Sequence, residues 1–175
     1  LMTHVVVRKL RRLLGSLDDK TIGILRLSFK PDSDDMREAR SLSLIPLLEE
    51  KGCRIKAYDP VANEAASRLL HNVIFCANAY EVAKGSDALI LVTEWNEFKM
   101  LDMKKVAALM NHAIIIDGRN IYDPEEMVRA GFAYDGIGRQ GIKPDKPEDT
   151  MMLADDWKER EPVTTSKSVV SQDYI

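Results

Sequence analysis

Two cations bracket a short acidic turn, Phe29-Lys30-Pro31-Asp32-Ser33-Asp34-Asp35-Met36-Arg37-Glu38. An apolar run, Ile22 to Phe29, precedes it, and a long apolar-rich segment follows it. Strand, polar turn, helix is where α/β folds place ligand-binding groups. Lys30 and Arg37 at the mouth of a helix suit a phosphate, because unpaired backbone N–H groups and the helix dipole add to their charge. Asp32, Asp34 and Asp35 oppose that reading. Asp35 with Glu38 has the spacing of a capping box, so a purely structural, salt-bridged turn stands beside the ligand reading. Arg119 is the second candidate. It follows Gly118 just past an apolar run and can present its planar fork to a phosphate or carboxylate, or pair with Asp117 or Asp123. Asp59 has the position of the acid that binds a ribose in many dinucleotide folds, but no glycine-rich turn follows the first strand. A capping or turn role before Pro60 is equally consistent. A Mg²⁺ or phosphoacceptor site built on Asp32, Asp34 or Asp59 with Thr93 is the rival chemistry. No Ser-His-Asp or Cys-His set is evident, and His4, His71 and His112 flank helices as surface residues.

The elements that must position these groups alternate. Helical spacing covers residues 3–15, 36–51, 62–70, 78–84, 103–110 and 124–130, and strands are expected at 21–29, 53–58, 73–76, 87–93 and 113–116. Residues 94–98 read as a loop and 132–134 as an added edge strand. Gly15, Gly52 and Gly85 stop helices, and Pro124 suits a first turn. Pro46 lies inside a helical pattern, where proline costs about 3 kcal/mol, so a kink or a late helix start is expected. Arg8, Lys9, Arg11 and Arg12 surround an apolar seam and read as a solvated face or as a nucleotide contact. The alternation predicts an α/β fold with a mostly parallel sheet and helices on both faces. Ligands of such sheets bind outside the carboxyl ends of the strands, where Lys30, Asp59, Thr93-Glu94 and Asp117-Arg119 fall.

Composition sets the bounds. The 175 residues are 45% hydrophobic and 30% charged, typical of a soluble globular protein. A net charge of −3 offers no general attraction to nucleic acid or anionic membrane. Residues 143–175 carry 5 basic and 8 acidic side chains, so the acidity belongs to that segment, which reads as a mobile tail. Cys53 and Cys76 lack metal spacing and read as buried thiols of a reducing cytosol. No apolar run is long enough to span a membrane, and no signal peptide is recognisable. The sequence opens on Leu1, which is consistent with a piece of a longer protein.

Four motifs in order resemble the UDP-glucose 6-dehydrogenase family in its C-terminal, UDP-binding domain. They are Phe29 to Glu38, Ala57-Tyr58-Asp59-Pro60, Ser86-Asp87-Ala88 through Val92-Thr93-Glu94-Trp95, and Asp117-Gly118-Arg119-Asn120-Ile121-Tyr122-Asp123. The resemblance spans about residues 1–139 and implies a Rossmann-like sheet. It implies that Phe29, Lys30 and Arg119 contact the UDP-sugar and that Arg37 reaches the NAD. Residues 1–16 would be the end of a central dimerisation helix, 20–139 the UDP-binding domain and 140–175 the tail. The family's reaction is a two-step oxidation of the sugar C6 hydroxyl to a carboxylate by two NAD⁺, through thiohemiacetal and thioester on a cysteine. That cysteine and the NAD-binding turn belong to the N-terminal and central parts, and Cys53 and Cys76 match no catalytic position. This chain alone is therefore expected to bind UDP without redox activity. The implied parent is a cytoplasmic homodimer or higher oligomer serving polysaccharide biosynthesis, and a stand-alone nucleotide-binding or interaction module is the alternative. Arg26 departs from the family's usual glycine. It either crowds a close approach or adds a cation, and on that pattern Arg26→Gly should bind UDP at least as well.

Overall fold

A computed structural model describes residues 2–28, 30, 34–37, 39–138 and 141–144. Six strands form one sheet: β1 (Thr21–Leu25), β2 (Arg54–Tyr58), β3 (Val73–Phe75), β4 (Ala88–Leu91), β5 (Ile114–Asp117) and β6 (Ala133–Gly136). They are ordered β3-β2-β1-β4-β5-β6, and all five pairings are parallel. The helices are α1 (Met2–Leu14), α2 (Ser41–Glu50), α3 (Asn63–Ser67), α4 (Ala79–Ala83), α5 (Asn96–Lys99), α6 (Met103–Leu109) and α7 (Pro124–Arg129). The mostly parallel α/β sheet expected from the alternation is what forms, with the Rossmann-like character that the resemblance implied.

The central strands β4 and β5 are buried at every position, as strands covered on both faces must be. Successive residues of β1 point to opposite faces. Gly23 faces α4: a Cβ there would stand 2.5 Å from Leu89 Cδ2 and 2.6 Å from Val82 Cγ1. α4 packs on β1 and β2 and against α6, while α1 packs on β5 and against α2. The apolar seam of α1 is Val6, Val7, Leu10, Leu13 and Leu14, all buried. Its basic residues divide. Lys9 Nζ and Arg12 donate to the buried Asp135 carboxylate of β6 at 2.6 and 3.0 Å, whereas Arg8 and Arg11 are exposed.

Side-chain caps fix the short helices. Asn78, Asp102 and Asp123 accept the backbone N–H of Glu81, Lys105 and Glu126 at 2.9, 3.2 and 3.0 Å. Pro124 sits in the first turn of α7 as expected. Lys56 on β2 bonds the Lys84 carbonyl at 2.7 Å, a cation placed where α4 ends in unpaired carbonyls.

Four expectations need correcting. β1 ends at Leu25 rather than at residue 29, because Arg26 turns to φ +75° and breaks the extended run. α2 begins at Ser41, not near residue 36, which is the late start that Pro46 announced, although Pro46 still lies inside the helix. His112 is buried rather than superficial. Its Nδ1 lies 2.9 Å from Asp87 Oδ1, and the other Asp87 oxygen accepts the Thr21 N–H at 2.9 Å. This pair closes the amino ends of β1, β4 and β5, opposite the carboxyl ends of the strands. The segment 94–98, expected as a loop, contains the single-turn helix α5, which buries Phe98. Beyond residue 144 the expected tail lies outside the described residues.

The Gly23 contact makes a stability prediction. Gly23→Ala should destabilise the domain by about 1–3 kcal/mol through overpacking, read as a lower urea midpoint with unchanged slope.

Candidate functional site

Strand order places the site. Sequence order reverses between β1 and β4, so the loops leaving these neighbours diverge and open a crevice at their carboxyl ends. Lys30 follows β1, Trp95 follows β4, and Arg119 follows β5 on the far side of β4.

The β5 turn is built to hold Arg119 out. Asp117 is buried, and its Oδ1 accepts the Arg119 N–H at 3.1 Å. Its Oδ2 accepts the Tyr122 N–H at 3.0 Å and the Tyr134 hydroxyl at 2.9 Å. Gly118 donates its N–H to the Leu91 carbonyl at 2.9 Å, and a Cβ on Gly118 would sit 2.6 Å from that same oxygen. Only glycine permits this approach of β5 to β4. Asn120, at φ +55°, bonds Ile137 through both amide groups, at 2.9 and 3.1 Å. Tyr122 donates to the Phe98 carbonyl at 2.7 Å, and burial followed by the Asp117 charge pushes its phenol pKa well up. The Arg119 side chain is exposed and pairs with neither Asp117 nor Asp123; among the described residues it has no ion pair.

The β1 turn is organised by Asp59, which is 1% exposed. Its Oδ2 accepts the N–H groups of Leu27 and Ser28 at 2.8 and 3.0 Å and the Ser28 hydroxyl at 3.1 Å. Its Oδ1 accepts the N–H groups of Val61 and Ala62, both at 2.9 Å. Asp59 thus ties the end of β1 to the start of α3 in the turn role, with its oxygens already engaged, rather than facing a ribose or Mg²⁺. Burial alone would raise its pKa, but these backbone donors favour the charged form and the net shift is downward. Thr93 is likewise committed, donating to the Ser28 carbonyl at 3.1 Å.

Arg26 neither crowds the crevice as a loose side chain nor offers it a cation. It is fully buried at φ +75°, a conformation that costs a non-glycine residue roughly 1–2 kcal/mol. Its Nε lies 2.8 Å from Ser28 Oγ and 3.2 Å from Asp59 Oδ2. Its terminal nitrogen donates to the Lys30 carbonyl, and its guanidinium carbon stands 4.0 Å from the Trp95 ring centre. The Lys30 side chain is exposed, and its charge acts on Asp35.

Arg37 is exposed and clamped to Asp35, Nε to Oδ1 at 3.0 Å and the terminal nitrogen to Oδ2 at 2.9 Å. The Asp35 carboxylate also accepts the Arg37 N–H at 2.9 Å. These bonds from Arg37 hold the Asp35 pKa down at about 2 and raise that of Arg37. Asp35 therefore serves Arg37 and not α2, whose first turn begins at Arg40 without a side-chain cap. Phe29, Asp32 and Glu38 lie outside the described residues.

Two contacts at this edge were not read from the sequence. Trp95 faces Arg26, and the Tyr58 hydroxyl reaches the two Glu97 oxygens at 3.1 and 3.2 Å, with burial first and Glu97 second raising its pKa to about 12. Their signal was available, since Tyr58 closes one expected strand and Trp95 lies two residues past another, where strand ends converge. The environment disfavours both thiolates: burial, then Asp18 and Asp87, push Cys53 up to about 11, and burial raises Cys76.

Residues 23–124 match the family described as UDP-glucose/GDP-mannose dehydrogenase family, UDP binding domain. Among similar proteins, UDP-glucose 6-dehydrogenase TuaD of Bacillus subtilis is 39% identical over 145 residues, covering 82% of this chain and 32% of TuaD. A UDP-glucose 6-dehydrogenase of Pseudomonas aeruginosa is 40% identical over 131 residues, covering 71% of this chain and 29% of that protein. The chain thus spans about a third of the length of these relatives. The solved UDP-glucose dehydrogenase from Pyrobaculum islandicum superimposes with a TM-score of 0.68 at 28% identity, covering 79% of this chain and 30% of that one.

The Asp59 geometry carries a pH-dependent prediction. Its depressed pKa contributes stability that is fully present above the ordinary carboxylate range and is lost as pH falls through the lower folded value. Asp59→Asn should cost about 3 kcal/mol near neutral pH in urea unfolding, and the gap to the parent should narrow in acid.

Proposed function

The chain belongs to the UDP-glucose/GDP-mannose dehydrogenase family as its UDP binding domain, and from that premise we propose that the carboxyl edge of its sheet binds the UDP part of a UDP-sugar. The full-length protein, on this reading, oxidises UDP-glucose to UDP-glucuronate with two NAD⁺. The observation that carries the reading is the Arg119 turn. A carboxylate, a close-packed glycine and two tyrosines fix its backbone while the guanidinium stays exposed beside the β1/β4 crevice.

Lys30 and Arg119 flank β4 from its two neighbouring strands and supply the positive charge a diphosphate needs. Phe29 joins them as a UDP-sugar contact by its place in the motif. Arg37 reaches the NAD of the full-length protein. Asp35 holds its fork in place until an anion competes for it. NAD supplies hydride acceptance when bound, mainly by parts of the full-length protein beyond this sequence. The buried thiols fit that division, because neither is set up to act as a thiolate.

The same reading divides the chain into the end of a dimerisation helix at 1–16 and a UDP-binding domain at 20–139. The assembly would be a homodimer or higher oligomer in the cytoplasm, making a UDP-uronate for polysaccharide synthesis. Among the described residues no helix is long and apolar enough to cross a membrane.

Replacing Lys30 or Arg119 with alanine should weaken UDP binding about tenfold or more in titration calorimetry, with the melting temperature unchanged. Unaltered affinity would remove that residue from the site. Purified chain mixed with UDP-glucose and NAD⁺ should give no NADH absorbance. Sustained NADH formation that disappears in Cys53→Ser or Cys76→Ser would place the redox chemistry in this chain instead.

A further inference from the structure

Arg26 brings three strand ends together on one side chain. Its own backbone ends β1, its Nε faces Asp59 at the end of β2, and its guanidinium lies over Trp95 at the end of β4. From that anchorage it reaches forward four residues to bond the Lys30 carbonyl. The bond fixes the main chain of Lys30 while its ammonium stays exposed. Arg26 is fully buried, and its charge faces Asp59 at 3.2 Å. It is therefore poorly placed to act as an anion contact itself. What it can do is decide where the anion contact stands.

We propose that Arg26 is the positioning residue of the UDP site, holding the Lys30 backbone in its binding geometry before the nucleotide arrives. The proposal rests on the UDP-binding reading above. A left-handed backbone is unfavourable for arginine and easy for glycine, so glycine would relieve strain at this position. It would also leave the Lys30 turn to be ordered during binding, which lowers affinity. Arginine suits the task because its planar fork bonds along two edges while its face stacks on the indole; lysine keeps the charge without either. This reverses the expectation drawn from the glycine pattern alone.

The test is a double-mutant cycle on the full chain with UDP as the titrant. Arg26→Gly should weaken UDP binding about five- to tenfold while circular dichroism remains that of the parent. Lys30→Ala should weaken it at least as much, and the double variant should bind no worse than Lys30→Ala alone, because both changes remove one contact. A purely structural role would instead give effects that multiply. Arg26→Lys keeps a cation opposite Asp59 and guards against a glycine variant that fails to fold; it should also bind more weakly than the parent. Equal or tighter binding by a folded Arg26→Gly or Arg26→Lys, or multiplying effects in the cycle, overturns the proposal and leaves the UDP-binding reading intact. A parent chain that binds no UDP overturns both.

Discussion

The carboxylate of Asp59 is the constraint on which the carboxyl edge of the sheet depends. It is buried, and it accepts four backbone N–H groups from two separate segments as well as the Ser28 hydroxyl. An isolated buried charge would be prohibitively costly; one surrounded by donors becomes a fixed node. Because β1 and β2 are neighbours in register, Ile24 beside Ala57 and Leu25 beside Tyr58, the node lies directly beyond the last shared rung of the sheet. Everything that leaves β1 starts from there, including Arg26, Ser28 and the turn to Lys30.

The same device recurs across the crevice with a different outcome. Asp117 is the β5 counterpart of Asp59, buried and saturated by two backbone N–H groups and a tyrosine hydroxyl. Asp59 also has an arginine at hand, whereas Asp117 receives only the main chain of Arg119. One acid therefore draws its neighbouring guanidinium into the core, and the other leaves its neighbour in solvent. The distinction between a buried structural arginine and an exposed one lies in that choice and not in residue type. Arg37 is intermediate, held by a carboxylate yet largely exposed, in a pair that solvent weakens.

Much of this was legible in the sequence. Continuous apolar runs at 88–91 and 114–116 announced buried parallel strands, and their alternation with helical spacing announced the sheet. Arg119 stands out by its place after Asp117-Gly118, but the sequence leaves open whether it faces solvent or pairs with Asp117 or Asp123; the structure shows it exposed. The end of β1 was not legible, because it depends on Arg26 adopting a left-handed backbone, which side-chain periodicity does not encode. The inward course of Arg26 was hidden for a related reason. Arginine propensity favours the surface, and only the convergence of Asp59, Ser28 and Trp95 from three segments makes burial favourable. His112 was misjudged likewise, since its partner Asp87 lies 25 positions away on another strand approach.

The salt bridges that Lys9 and Arg12 make to Asp135 span 126 and 123 positions of sequence. Loop closure over such a distance is entropically unfavourable, and all-parallel pairing already makes contacts non-local. The clasp can form only after the intervening crossovers are in place, so the first helix and the last strand should join late in folding. During synthesis, α1 emerges long before the strand whose carboxylate receives its cations. Until then its five buried apolar residues have an incomplete sheet to cover, and a sticky amphipathic helix stands ahead of the nascent sheet.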